Sequence, residues 1–136
     1  MEIRMSTLSF NLNLEADFET GISRVTEALK ERGFGVLTRI DFDKKIKEKL
    51  NQDLARTSIL GACNPKLAYE AYQKAPDTLL LIPCNVVVQE ISIGKLEIKF
   101  MKPSEMMKFL GSPELISLAA SADQVLKEVA NELQRS

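Results

Sequence analysis

Val86-Val87-Val88-Gln89-Glu90-Ile91-Ser92-Ile93-Gly94-Lys95-Leu96-Glu97-Ile98-Lys99-Phe100 decides the fold. Val86 to Ile91 is rich in β-branched residues and reads as a strand. Ser92-Ile93-Gly94 supplies a hairpin turn. Lys95 to Phe100 then alternates cleanly, which sends Leu96, Ile98 and Phe100 to one face. Two adjacent strands joined by a tight turn pair antiparallel. The chain is therefore built around an antiparallel sheet.

Upstream, Thr78 to Ile82 is a nearly continuous apolar run and is read as a further strand. Pro83 interrupts its ladder, having no N–H to donate, and marks a bulge or edge. Residues 6–14 alternate polar and apolar, with Leu8, Phe10, Leu12 and Leu14 on one face, as in a half-buried strand. Asp17 is placed to cap a helix in which Phe18, Ile22, Val25 and Leu29 recur, and Gly33 to end it. Residues 35–42 and 56–63 read as strands. Between them Asp43 is expected to cap a short helix over 44–50, with Ile46 and Leu50 inward and four lysines outward.

Asn64-Pro65 has the form of an N-cap followed by proline at the first helical position. Leu67, Ala68, Ala71, Tyr72 and Ala75 make the stripe of that helix, and Pro76 stops it. Lys102 to Met107 begins a short helical piece. Ser112-Pro113-Glu114 opens a long final helix with a wide apolar face from Leu115 to Leu133. The fold class is α+β, a mostly antiparallel sheet with helices packed on one face. The other face must be polar or be covered by a partner.

The length of 136 residues suits a single domain spanning 1–136. With 45% hydrophobic and 27% charged residues, the chain can bury a core without disulfide or metal support. The net charge of −1, spread along the chain, argues against nucleic acid as the main partner. No apolar stretch reaches the roughly 18–20 residues of a membrane span. The first residues carry no apolar export signal. The expected setting is cytoplasmic, with Cys63 and Cys84 reduced.

There is no histidine. That removes Ser-His-Asp and Cys-His pairs within one chain, and the zinc sites that need imidazole. Gly33-Phe34-Gly35 follows a helical pattern and precedes a strand, the wrong order for a dinucleotide loop. The thiols are left as the side chains suited to soft-metal, redox or nucleophilic chemistry. Both open a Cys-Asn step, in Gly61-Ala62-Cys63-Asn64-Pro65 and in Pro83-Cys84-Asn85-Val86.

Four segments together carry a resemblance. They are Gly33-Phe34-Gly35-Val36-Leu37-Thr38-Arg39-Ile40-Asp41, Lys47-Glu48-Lys49-Leu50, Ile59-Leu60-Gly61-Ala62-Cys63-Asn64-Pro65-Lys66-Leu67-Ala68 and Leu81-Ile82-Pro83-Cys84-Asn85-Val86-Val87-Val88. Their order and spacing resemble the domain-of-unknown-function 302 family, from about residue 14 to the last helix. The turn at Ser92-Ile93-Gly94 is less glycine-rich than the family pattern. The resemblance implies a sheet of TATA-binding-protein-like topology, often found as a dimer. It implies no DNA binding, because topology carries no function, and it assigns no cofactor.

The candidate ligand-binding residues are Cys63, Asn64, Cys84 and Asn85. Cys63 lies just before a helix N-terminus, which lowers a thiol pKa. If the two strands are neighbours the thiols could be close; a disulfide then needs Cα atoms about 4.4–6.8 Å apart, and two thiolates could hold a soft ion such as Cu(I), with Met101, Met106 or Met107 as a further ligand. The plainer reading is that both cysteines pack as small hydrophobes and Asn64 is a cap. Asn85 is unusual in a strand; it bonds the bulge beside Pro83 or a ligand in the same cleft. Three functions follow: a non-catalytic small-ligand or interaction module acting as a homodimer; a thiol redox or soft-metal protein using Cys63 and Cys84; and, weakest without a histidine base, an enzyme with a cysteine nucleophile.

Overall fold

A computed structural model describes residues 3–135 of the 136-residue chain. Its strands are β1 (Arg4–Met5), β2 (Ser9–Glu15), β3 (Gly35–Asp41), β4 (Thr57–Cys63), β5 (Cys84–Ser92) and β6 (Lys95–Met101). Its helices are α1 (Phe18–Glu31), α2 (Phe42–Leu50), α3 (Pro65–Lys74), α4 (Pro103–Met107) and α5 (Pro113–Arg135). Among the described residues the strands form one sheet in the order β1-β2-β6-β5-β4-β3, with every neighbouring pair antiparallel.

The hairpin forms where the sequence places it. Val88 faces Ile98 and Val86 faces Phe100 across it, and all four are fully buried. Gly94 turns the chain at φ +79°. Phe10, Leu12 and Leu14 of β2 continue the same buried face beside Phe100, Ile98 and Leu96. Leu60 and Ala62 of β4 extend it to the other side, opposite Val86 and Cys84. Helices α1 and α5 cover this face, with Val25, Leu29, Leu126 and Val129 inside the common core. Burying each such side chain contributes about 1.5–3 kcal/mol.

Helix α1 has both expected ends. The Thr20 N–H donates to Asp17 Oδ1 at 3.0 Å. At the far end the Phe34 N–H reaches the Leu29 carbonyl at 2.9 Å and the Gly33 N–H reaches Lys30 at 3.1 Å. That double closure needs a left-handed residue, and Gly33 supplies it at φ +86°.

Two local expectations are corrected. Thr78 to Ile82 is not a strand; Pro76–Leu81 forms a 3-10 turn. Ala62 already pairs with Cys84, and β4 ends at Cys63, where the chain turns into α3. A strand running back from Cys84 would have no ladder partner on β4. The short helix starts at Phe42 rather than after Asp43. Asp43 instead accepts the Thr57 N–H at 3.0 Å, pinning the helix to the start of β4. Ile46 is half-buried, but Leu50 points to solvent with 62% exposure.

A smaller core lies beside the main one. Ala71 of α3, Met107 of α4 and Leu115 and Ala119 of α5 pack together there, with Leu81 and Leu110 against them.

Candidate functional site

The end of β4, the start of β5 and helices α3, α4 and α5 meet around a pocket. The local sequence explains the junction. Asn64 ends the strand and caps α3, its Oδ1 accepting the Leu67 N–H at 3.1 Å. Pro65 takes the first helical position, where a missing N–H costs nothing. Beside this junction Ile82–Pro83 is a cis peptide. Pro83 lies over Gly61: a Cβ on Gly61 would stand 2.8 Å from Pro83 Cγ and collide with Thr38 Oγ1. Only glycine fits there.

The pocket exists because five alanines line it, Ala62, Ala68, Ala71, Ala119 and Ala122. Larger apolar walls come from Phe34, Leu67, Ile82, Met107, Leu115 and Leu118. Apart from Asn64 and the two thiols, every lining residue is apolar. The cavity volume is about 50 Å³. One water needs roughly 10–15 Å³ on that measure, so there is room for a small apolar group.

Three of the four candidate residues, Cys63, Asn64 and Cys84, line this pocket. Asn85 does not. It is exposed and pairs with Gly61, on the sheet face turned away from the helices. Of the three methionines considered as sulfur ligands, only Met107 lines the pocket.

Cys84 faces the helices beside Ala62, its register partner. Burial pushes its thiol up to about 12, with the Cys63 and Asp123 charges adding to the effect. Burial also raises the Cys63 thiol. The direction at Cys63 is opposite to the lowering expected of a helix N-terminus, and burial is its cause. Both thiols are protonated near neutral pH. Cys63 follows Ala62, so the cysteines are offset by one residue and are not directly opposed across the ladder. Both are free.

Asp123 was not singled out by the sequence. Its Oδ1 accepts the Ser104 N–H at 2.9 Å and its Oδ2 accepts the Ser104 hydroxyl at 2.5 Å. These bonds tie α4 to α5 and hold the Pro103 and Met107 wall in place. The cue in sequence was faint: Ser104 follows a helix-opening proline, but its partner lies 19 residues away.

Asp41 and Glu97 do not line the pocket. Asp41 accepts from the Ser58 hydroxyl at 2.6 Å and from Arg39 Nε at 2.8 Å. These two bonds hold its pKa below the ordinary carboxylate value. Glu97 pairs with Arg4 at 2.7 Å across β2 and with Lys99 of its own strand at 3.8 Å. Among the described residues no cluster of three histidine, cysteine, aspartate or glutamate side chains suits a metal ion. No described helix is long and apolar enough to cross a membrane.

A family model described as "Domain of unknown function DUF302" matches residues 10–133. The chain belongs to this family. No curated protein matches it. A crystal structure titled as an uncharacterized conserved DUF302 protein from Bacillus stearothermophilus is similar at 26% identity. That similarity covers 91% of this chain and 96% of the other, with a TM-score of 0.83. The DUF302 assignment agrees with the α+β architecture and gives the pocket no ligand.

Proposed function

We propose that this DUF302 chain is a non-catalytic binding module, acting as a homodimer, that takes a small apolar ligand in the pocket beside Cys84. The observation that carries this reading is the lining: apolar walls, two protonated thiols and one amide. Concave, mostly apolar sites with few polar groups are the usual form of a small-molecule site. The amide of Asn64 has its oxygen engaged by the α3 cap, so the ligand is held mainly by shape and burial. The volume favours a compact molecule or the tip of a chain. A cytoplasmic setting would keep both thiols reduced.

The chemistry gives little support to catalysis. There is no histidine base, both thiols are held protonated, and Asp123 is engaged by Ser104. One observation favours a second reading, a soft-metal site: Cys63, Cys84 and Met107 bring three sulfur side chains to one pocket. Thiolate and thioether donors select Cu(I). The raised thiol pKa values weigh against it.

The test is an amide-resolved NMR titration with xenon, a small apolar probe matched to this volume, on wild type and on Ala68→Leu. Ala68 is half-buried and lines the pocket, so a leucine fills the space without a new polar group. The reading expects saturable shifts at Ala62, Cys84 and Ala119 that disappear in Ala68→Leu. Shifts spread over the surface, or none, would reject it. An anaerobic Cu(I) titration bears on the second reading: stoichiometric binding lost in Cys84→Ser would favour the metal.

A further inference from the structure

Helix α2 departs from the rest of the fold. Phe42, Ile46 and Leu50 recur every fourth residue and make an apolar stripe. Yet none of its residues is buried. A helix of 9 residues is too short to hold itself in water and normally depends on burying such a stripe. Here Phe42 is 39% and Leu50 62% exposed. Leu37 and Ile40 on β3, and Leu54 just after the helix, are exposed to a similar degree. Strand β3 is also an edge of the sheet, with β4 on one side and no described strand on the other.

We propose that the β3 edge and the apolar stripe of α2 form the surface on which a second copy of this chain docks. This rests on the homodimer reading above. The first argument is area. Five large apolar side chains on β3, α2 and the segment just after it, each exposed by about half, leave bare on the order of 500 Å² of apolar surface, comparable to the largest patch on a typical monomer. With its charged rim it approaches the roughly 800 Å² per partner of a standard interface.

The second argument is charge. Around the stripe, Lys44, Lys45, Lys47 and Lys49 are balanced by Asp41, Asp43, Glu48 and Asp53. Several already pair locally, Lys47 with Asp53 at 3.0 Å and Lys44 with Asp41 at 3.8 Å. A balanced rim offers no net field to an anionic lipid or nucleic acid. Under a two-fold rotation the same rim meets its own copy with both signs available for pairing.

The third argument is topology. Two-fold-related copies of an edge strand run antiparallel to each other, so the contact extends an already antiparallel sheet. The irregularity between Val36 and Thr38 limits that ladder to part of the edge, and the α2 stripe supplies the remaining contact.

Sedimentation velocity over a concentration series tests this on wild type, Leu50→Lys, Ile40→Lys and Phe109→Lys. Phe109 is 80% exposed but lies on the 3-10 turn after α4, on neither β3 nor α2, and serves as the control. The expected result is a wild-type dimer, unchanged in Phe109→Lys and weakened at least tenfold in both other variants, with circular dichroism showing all four folded. A dimer that survives Leu50→Lys and Ile40→Lys overturns this surface and leaves the homodimer reading standing. A monomeric wild type at every concentration overturns both. If that monomer co-sediments with phosphatidylserine vesicles through Leu50, the surface belongs to a membrane.

Discussion

Raising the pH should destabilise this protein through Cys84, and the size follows from its position. The thiol has an ordinary pKa near 9.0 and is pushed up to about 12 in the folded chain. Below pH 9 both folded and unfolded forms carry the proton, and the group has no pH effect. Between about 9 and 12 the unfolded chain releases the proton while the folded chain keeps it. The folded state is then the more protonated one, and stability falls as pH rises. Each pH unit in that window is worth about 1.4 kcal/mol. The loss from Cys84 between pH 8 and pH 10 should therefore be about 1.4 kcal/mol, a sizeable part of a total near 5–15 kcal/mol. The assay is urea unfolding of wild type and Cys84→Ala at pH 8 and pH 10. Other groups titrate over this range in both proteins, Cys63 included, so the readout is the difference between the two losses. Wild type should lose about 1.4 kcal/mol more than the variant. Equal losses would refute the reasoning and mean that Cys84 ionises freely, as it would on an open surface. Ultraviolet titration of thiolate absorbance gives an independent check.

Two further predictions come from the same junction. Gly61→Ala should destabilise the fold by about 1–3 kcal/mol, because the new methyl meets Thr38 Oγ1 and Pro83; a melting temperature equal to wild type would mean that Pro83 does not sit over β4. Asn64→Ala should cost about 1 kcal/mol in urea unfolding by removing the α3 cap, with Asn64→Asp keeping most of it; no loss in the alanine variant would show that the side chain does not serve the helix.

Much of the fold was legible because local and long-range signals agree. The Val86–Phe100 hairpin alternates with the period of a strand, and its inward residues are the buried ones. Asp17, Gly33 and Asn64-Pro65 are helix punctuation with a direct mechanical reading, and each sits where it was placed. The reading failed where tertiary context decides. Leu79-Leu80-Leu81 carries no periodicity, and an apolar run alone cannot reveal that β4 has already ended. Leu50 has the spacing of a buried residue, and nothing within the helix says that no other described element covers it.

The candidate site was legible in part. The two Cys-Asn steps drew attention to strand ends that meet at one pocket, which accounts for Cys63, Asn64 and Cys84. Asn85 was grouped with them by adjacency, and strand alternation sends it to the opposite face. Four of the alanines that create the space, Ala68, Ala71, Ala119 and Ala122, fall on ordinary apolar helix faces, and Ala62 lies in a strand. Asp123 and Ser104 lie on different helices and meet only through the packing of α4 on α5.

Native mass spectrometry of the untagged protein as purified, repeated under denaturing conditions without reductant, tests the central claim most directly. The account predicts a dimer carrying extra small-molecule mass, lost on denaturation and missing from Ala68→Leu, with two free thiols per chain. A bare monomer, with wild type and Ala68→Leu alike, would contradict it.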